Sequence, residues 1–203
     1  MNPKLSETIA GLPAGLSEER RNVLQPLVDL IASKKRKGET VRLNFICTHN
    51  SRRSLLAQVW AQTMAFHFKI DGVFCYSGGT ETTALFPKVA DTLAEHGFNV
   101  LQLCKTENPV YAVKYSMEEA PVICFSKKYD DMFNPGSRFV AIMTCSSADH
   151  GCPFVSGAEA RFSVKYEDPK LFDDTDQQAL KYSQRSLEIA NEMCWLFSSL
   201  AQQ

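Results

Sequence analysis

Apolar and polar positions alternate along the chain in blocks that change period several times. Residues 16–38 carry Val23, Leu24, Leu27, Leu30 and Ile31 at helical spacing, with Ser17 as an N-cap, Glu18 and Glu19 in the first turn, and Lys34, Lys35, Arg36, Lys37 and Gly38 at the end. Pro26 inside that pattern predicts a kink or a late start. Residues 41–47 form an apolar strand pattern through Val41, Leu43, Phe45 and Ile46. Leu55, Leu56, Val59, Trp60, Met64 and Phe68 then follow at the spacing of a helix packed on a sheet. Residues 72–77 predict a strand running into Gly78 and Gly79, residues 87–96 a helix closed by Gly97, and residues 99–104 a third strand.

The middle of the chain is less regular. Residues 110–116 and 122–125 predict a hairpin, residues 127–133 a short helix before the turn Asn134, Pro135, Gly136, and residues 138–145 a buried strand. Residues 162–166 predict a last strand, and from residue 176 Leu180, Leu187, Ala190, Cys194 and Phe197 mark a closing helix. Strand alternating with helix argues for an α/β domain, a three-layer sandwich with a central parallel sheet of flavodoxin-like topology. To it are added a helical N-terminal extension, residues 1–40, and a hairpin insertion, leaving residues 41–203 as the catalytic domain. The free edge of that hairpin could build a homodimer edge or a partner surface.

In such a sheet, ligands bind beyond the carboxyl ends of the strands, and Cys47 falls at one of them. The residues after it, Thr48, His49, Asn50, Ser51, Arg52, Arg53 and Ser54, are small, polar or cationic and lead into a helix. Unpaired backbone N–H groups and the positive end of the helix favour an oxyanion there, and both lower a thiol pKa. A thiolate, an arginine fork and amide donors together describe nucleophilic attack on a tetrahedral oxyanion. A second cysteine, Cys145, ends the strand at 138–145, and a third, Cys152, follows after six residues.

Composition narrows the class. The chain has 203 residues, 44% apolar, with 22 basic and 23 acidic side chains, so it can bury one substantial core and offers no nucleic-acid surface. No apolar run is long enough to span a bilayer and the first residues lack a signal-peptide pattern, which predicts a cytoplasmic protein without membrane contact. Seven cysteines, an odd number, do not form a secreted disulfide framework. Of these, Cys75, Cys104, Cys124 and Cys194 lie in apolar patterns and are expected as core residues, as are Trp60 and Trp195 for packing. His67 and His96, at helix ends, are expected at the surface.

The stretch from Phe45 through Cys47 to Arg53 and Ser54 resembles the active-site loop of the low-molecular-weight protein tyrosine phosphatase superfamily, and Ser77 to Thr80 and Asp168-Pro169 resemble its later motifs. Cys145 and Cys152 resemble the redox pair of thioredoxin-coupled arsenate reductases within that superfamily. The resemblance implies that Cys47 attacks arsenate, that Arg53 and the amides from Thr48 to Arg53 bind its oxygens, and that Asn50 shapes the loop while Ser54 hydrogen-bonds the thiolate. Asp168 would be the general acid. Cys145 would release arsenite by forming a disulfide with Cys47, Cys152 would resolve it, and thioredoxin would be the electron donor, with no tightly bound cofactor and no metal. The short polar segment between Cys145 and Cys152 is expected to rearrange. His49 stands where that family usually has glycine, and Arg52 adds a second cation. Two other readings stay open: a phosphatase working through a phosphocysteine on Cys47, and a non-catalytic oxyanion or redox sensor.

Overall fold

A computed structural model describes residues 1–13 and 15–202. Its elements are helices α1 (Pro3–Ala10) and α2 (Glu18–Arg36), strand β1 (Val41–Cys47), α3 (Arg53–His67), β2 (Val73–Gly79), α4 (Pro87–Glu95), β3 (Asn99–Cys104), β4 (Val110–Lys114), β5 (Val122–Cys124), β6 (Phe139–Met143), α5 (Ser146–Gly151), β7 (Ala158–Ser163), a 3-10 turn (Pro169–Phe172) and α6 (Gln178–Ala201). Four parallel strands in the order β2-β1-β6-β7 make the central sheet. Its middle strands are buried on both faces, which is why Phe139–Met143 reads as an apolar run with no alternation; in Val41–Cys47 the run is broken only by Arg42 and the buried Asn44. Helix α3 lies between the sheet and α6 and is buried almost all round, and Trp60 at its centre is fully enclosed. The α/β fold with a central parallel sheet is as the periodicity predicts.

Three expectations need correction. Strand β3 does not join the parallel sheet; it pairs antiparallel with β4, and β4 with β5, as a separate three-stranded sheet. Its residues are mostly exposed, so it lacks the two apolar faces that an inner parallel strand requires. Residues 127–133 form no helix. Lys127 to Tyr129 run alongside β2 instead, with Gly79 N–H donating to the Lys127 carbonyl at 2.8 Å and Tyr129 N–H to the Gly79 carbonyl at 2.9 Å. The Asn134 side-chain amide then closes the segment on the carbonyls of Ser77, Lys128 and Tyr129. The last strand spans Ala158–Ser163 rather than 162–166, because it pairs in parallel with all of β6. The segment after Cys145 is a helix, α5, capped by the Cys145 sulfur.

The first forty residues pack into the main core. Ser17 caps α2 as expected, and the helix runs continuously through Pro26 from Glu18. Leu24, Leu27, Val28 and Ile31 are buried in the same apolar cluster as the sheet and α6. Lys34 is buried rather than solvated, and it bridges Glu39 at 3.0 Å and Glu159 of β7 at 2.7 Å. Helix α1 adds Leu5, while Asn2 bonds to the carbonyls of Gly97 and Lys114. Gly97 adopts φ 98°, and a Cβ there would collide with the backbone of Lys4 and Leu5.

His96 is buried, not exposed. Its ring nitrogens lie 3.1 Å from Ser186 Oγ and 3.1 Å from Ser183 Oγ, and the Trp60 indole N–H also meets Ser186 at 2.9 Å. No helix among the described residues is long and apolar enough to cross a membrane.

Leu27→Ala is expected to cost about 2–5 kcal/mol in urea unfolding, since the side chain is fully enclosed; a detachable extension would lose nothing. Burial holds the His96 pKa below its ordinary value. The unfolded chain therefore takes up that proton first, and stability falls as pH drops through about 6.5. His96→Gln should flatten that part of the stability–pH curve.

Candidate active site

The loop between β1 and α3 owes its shape to where its carbonyls go. The carbonyl of Cys47 accepts from Thr80 N–H at 3.1 Å and that of Thr48 from Glu81 N–H at 2.8 Å. The carbonyl of His49 accepts from Ser126 Oγ at 2.7 Å, and that of Ser51 from Phe86 N–H at 3.2 Å. With the carbonyls turned outward onto the 80–86 segment and Ser126, the amides turn inward over the Cys47 sulfur. Asn50, at φ 47°, makes this reversal possible, since its short polar side chain tolerates the left-handed region.

Cys47 is buried, and its sulfur accepts from Asn50 N–H at 3.1 Å. Ser54 Oγ lies 3.1 Å from the same sulfur. Because Ser54 Oγ already accepts from the Asn50 side-chain amide at 2.8 Å, its own proton is available to the sulfur. Asn50 also accepts from Lys127 N–H at 3.1 Å, which ties the loop to the segment beside β2. The first turn of α3 begins at Arg53, so its unpaired N–H groups add positive potential at the sulfur. Two donors and a helix end thus converge on the Cys47 sulfur.

The two arginines take different partners. Arg53 donates to the Tyr166 carbonyl at 3.0 Å and to Asp168 Oδ2 at 2.5 Å, which places it at the mouth of the loop. Asp168 caps the 3-10 turn through Lys170 N–H. Arg52 instead forms an ion pair with Asp173 at 2.6 Å, donates to the Tyr182 hydroxyl at 2.5 Å, and lies over the Phe86 ring at 4.1 Å. Tyr182 in turn donates to Asp173 at 2.6 Å, and burial followed by this carboxylate pushes its phenol pKa up. The Arg52 guanidinium is thus tied to Asp173 and Tyr182, while Arg52 also lines the depression at the loop. Sequence inspection did not single out Asp173, Tyr182 or Phe86, because they come from three separate elements.

Cys47, His49, Ser51, Arg52, Arg53 and Asp168 line one small depression. His49 sits at its rim with a half-exposed side chain, its Nε2 3.5 Å from Glu81 Oε2. Cys145 reaches the site from the neighbouring strand end, its sulfur 3.4 Å from Thr48 Oγ1. Cys47 and Cys145 share one apolar cluster, with Cys152 and Tyr129 packed against it. The Cys152 thiol donates to the Phe154 carbonyl at 3.2 Å. Of the four cysteines expected as core residues, Cys75 and Cys124 are buried and Cys104 and Cys194 are half-buried; Gln58 bonds to Ser77 and the Cys75 carbonyl inside the core. Gly79 is the tightest neighbour of the loop: a Cβ there would lie 2.6 Å from the Thr48 carbonyl and 2.9 Å from Asn50 N, and would also strike the Glu81 carbonyl. Gly79→Ala should therefore displace the loop and raise by at least about tenfold the phosphate concentration that protects Cys47 from alkylation by iodoacetamide.

No family model and no curated protein sequence matches this chain. Solved structures do. A low-molecular-weight phosphotyrosine phosphatase from Vibrio cholerae O395 superposes with a TM-score of 0.52 at 12% identity, covering 80% of this chain and 97% of its own. A low-molecular-weight protein tyrosine phosphatase from T. tengcongensis gives 0.50 at 15%, covering 79% and 99%. An arsenate reductase from Archaeoglobus fulgidus gives 0.49 at 19%, covering 77% and 98%. The chain has the fold of the low-molecular-weight protein tyrosine phosphatases.

Proposed function

We propose that this protein reduces arsenate to arsenite through a relay of three cysteines re-reduced by thioredoxin. The observation that carries the reading is the convergence of Cys47, Cys145 and Cys152 at one end of the sheet, with the Cys145 sulfur 3.4 Å from the residue following Cys47. A phosphatase needs only the first of these thiols.

In this reading the Cys47 thiolate attacks arsenate bound by Arg53 and the loop amides, and one arsenate oxygen leaves as water after protonation, with Asp168 as the acid. Cys145 then attacks the Cys47 sulfur. The sulfur–arsenic electron pair stays on arsenic, which departs as arsenite, and a Cys47 to Cys145 disulfide remains. Cys152 attacks Cys145, frees Cys47, and leaves a Cys145 to Cys152 disulfide for the dithiol of thioredoxin. Two thiols are oxidised for each arsenic reduced by two electrons.

Helix α5 bears on the last step. Cys145 and Cys152 flank it, seven positions apart in sequence, and a rise of about 1.5 Å per residue along the helix sets their Cα atoms about 10 Å apart, beyond disulfide reach. The helix must unwind for the second disulfide to form. It has six residues, too few to persist without tertiary support. Its support is Asp149, which is bound by Arg161 at 2.7 Å, Ser163 at 2.8 Å and Lys165 at 3.0 Å.

The second reading, a phosphatase acting through phosphocysteine, is favoured by the pairing of Asp168 with Arg53 at the mouth of the loop. One assay series separates the two. Arsenate-dependent oxidation of thioredoxin should be abolished in Cys47→Ser, Cys145→Ser and Cys152→Ser alike. Aryl phosphate turnover that survives Cys145→Ser and Cys152→Ser, without any arsenate-dependent oxidation, would establish the phosphatase instead, and loss of both activities in the wild type would leave the sensor.

A further inference from the structure

Arg53 has two partners at the mouth of the loop, and they are not equivalent. Asp168 is exposed enough to meet substrate and, as an acid, has to turn from Arg53 toward the leaving oxygen. The Tyr166 carbonyl has no such duty, so it is the tether that persists through the reaction.

Tyr166 is itself held from behind. Its N–H donates to the Thr144 carbonyl at 3.1 Å, and its buried phenol donates to Glu192 Oε2 at 2.8 Å. Glu192, on α6, is almost wholly enclosed. Arg20 of α2 meets it with both arms of its fork, Nε to Oε1 at 2.6 Å and Nη2 to Oε2 at 2.7 Å, and the same guanidinium lies 5.5 Å from the centre of the Tyr166 ring. A carboxylate so deeply buried is tolerable only with such a partner, and the pair leaves one lone-pair direction for the tyrosine. Burial and the adjacent carboxylate both hold the Tyr166 phenol well above its ordinary pKa, so it stays a donor.

We infer that Arg20, Glu192 and Tyr166 are positioning residues for Arg53, and that helix α2 thereby belongs to the oxyanion site although none of its residues lines it. The inference rests on the reading of the Cys47 loop as an oxyanion site and holds for reductase and phosphatase alike. The chain of contacts is continuous: α2 guanidinium, α6 carboxylate, phenol, Tyr166 backbone carbonyl, Arg53 guanidinium. Removing the phenol oxygen keeps the ring packed but cuts its tie to Glu192, so Tyr166 is held less firmly and its carbonyl drifts from Arg53. Truncating Arg20 leaves a buried charge that takes up a proton or draws in water, and the phenol then loses its fixed acceptor.

The test uses the full chain and inorganic phosphate as the probe. Alkylation of Cys47 by iodoacetamide is followed against phosphate concentration in the wild type, Tyr166→Phe, Arg20→Ala and Arg20→Lys, alongside thermal melting. Tyr166→Phe and Arg20→Ala should raise the half-protecting phosphate concentration about tenfold, a loss of about 1.4 kcal/mol in anion binding. Arg20→Lys, which keeps the charge but loses the fork, should fall between them and the wild type. Tyr166→Phe guards against an Arg20→Ala variant that does not fold. Half-protection unchanged in Tyr166→Phe and in folded Arg20→Ala, with only the melting temperature lowered, would overturn the positioning role and leave a structural ion pair. A wild-type thiol that phosphate does not protect would overturn the oxyanion site itself, and the positioning role with it.

Discussion

The site depends on the backbone reversal at Asn50. In its left-handed conformation this residue brings its own N–H onto the Cys47 sulfur, and its side chain links Ser54 at the start of α3 to Lys127 beside β2. The loop is therefore locked both to the helix that follows it and to a segment 77 residues further along the chain. The outward carbonyls complete the effect, because each is satisfied by the 80–86 segment or Ser126 and none competes for the inward amides. An anion then meets donors already oriented, with little ordering left to do on binding. Gly79 belongs to the same constraint: any side chain there would occupy the space the loop needs.

Adjacent arginines divide the work of the loop. Arg52 points toward Asp173, Tyr182 and Phe86, so it anchors the loop to α6 and to the start of α4. Arg53 points toward the site and is held by the chain that descends from β7 to Asp168. Both anchors reach α6, one through Tyr182 and the other through Glu192. With α2 packed on α6, the helical layer fixes the charge geometry of a loop built at the sheet end. Sheet and helices contribute differently: the sheet sets where the sulfur stands, the helices where the cations point.

The relay proposed for the three thiols asks for a different property on the opposite side of the loop. There the Cys145 to Cys152 segment is helical, short, and tied to β7 chiefly through the Asp149 cluster. Hydrogen bonds from Lys165, Ser163 and Arg161 outweigh the desolvation of Asp149 and hold its pKa below the ordinary carboxylate value. An ordered helix with a single polar anchor can open locally without disturbing the core strands beneath it. Rigid loop and openable helix meet at Thr48 and Cys145.

By itself, the sequence determined most of the elements, the presence of a parallel sheet and the loop after Cys47, because each rests on local periodicity or on residues adjacent in the chain. Strand β1, helix α3 and the run into Gly79 are legible from apolar spacing, and Ser17 from capping chemistry. What only the tertiary structure decided involves residues whose partners lie far away. Strand β3 has ordinary strand composition, and its antiparallel pairing came from β4 rather than from its own residues. Residues 127–133 carry helical composition, yet the free edge of β2 and the Asn134 amide drew their backbone into extended form. His96 looked like a helix-end histidine until α6 covered it with Ser183 and Ser186. The fates of Arg52 and Arg53 were likewise indistinguishable in sequence: two neighbouring cations differ only in which carboxylate and which carbonyl the fold brings to them. Local periodicity records which face of an element is buried, and the identity of what buries it is a property of the assembled chain.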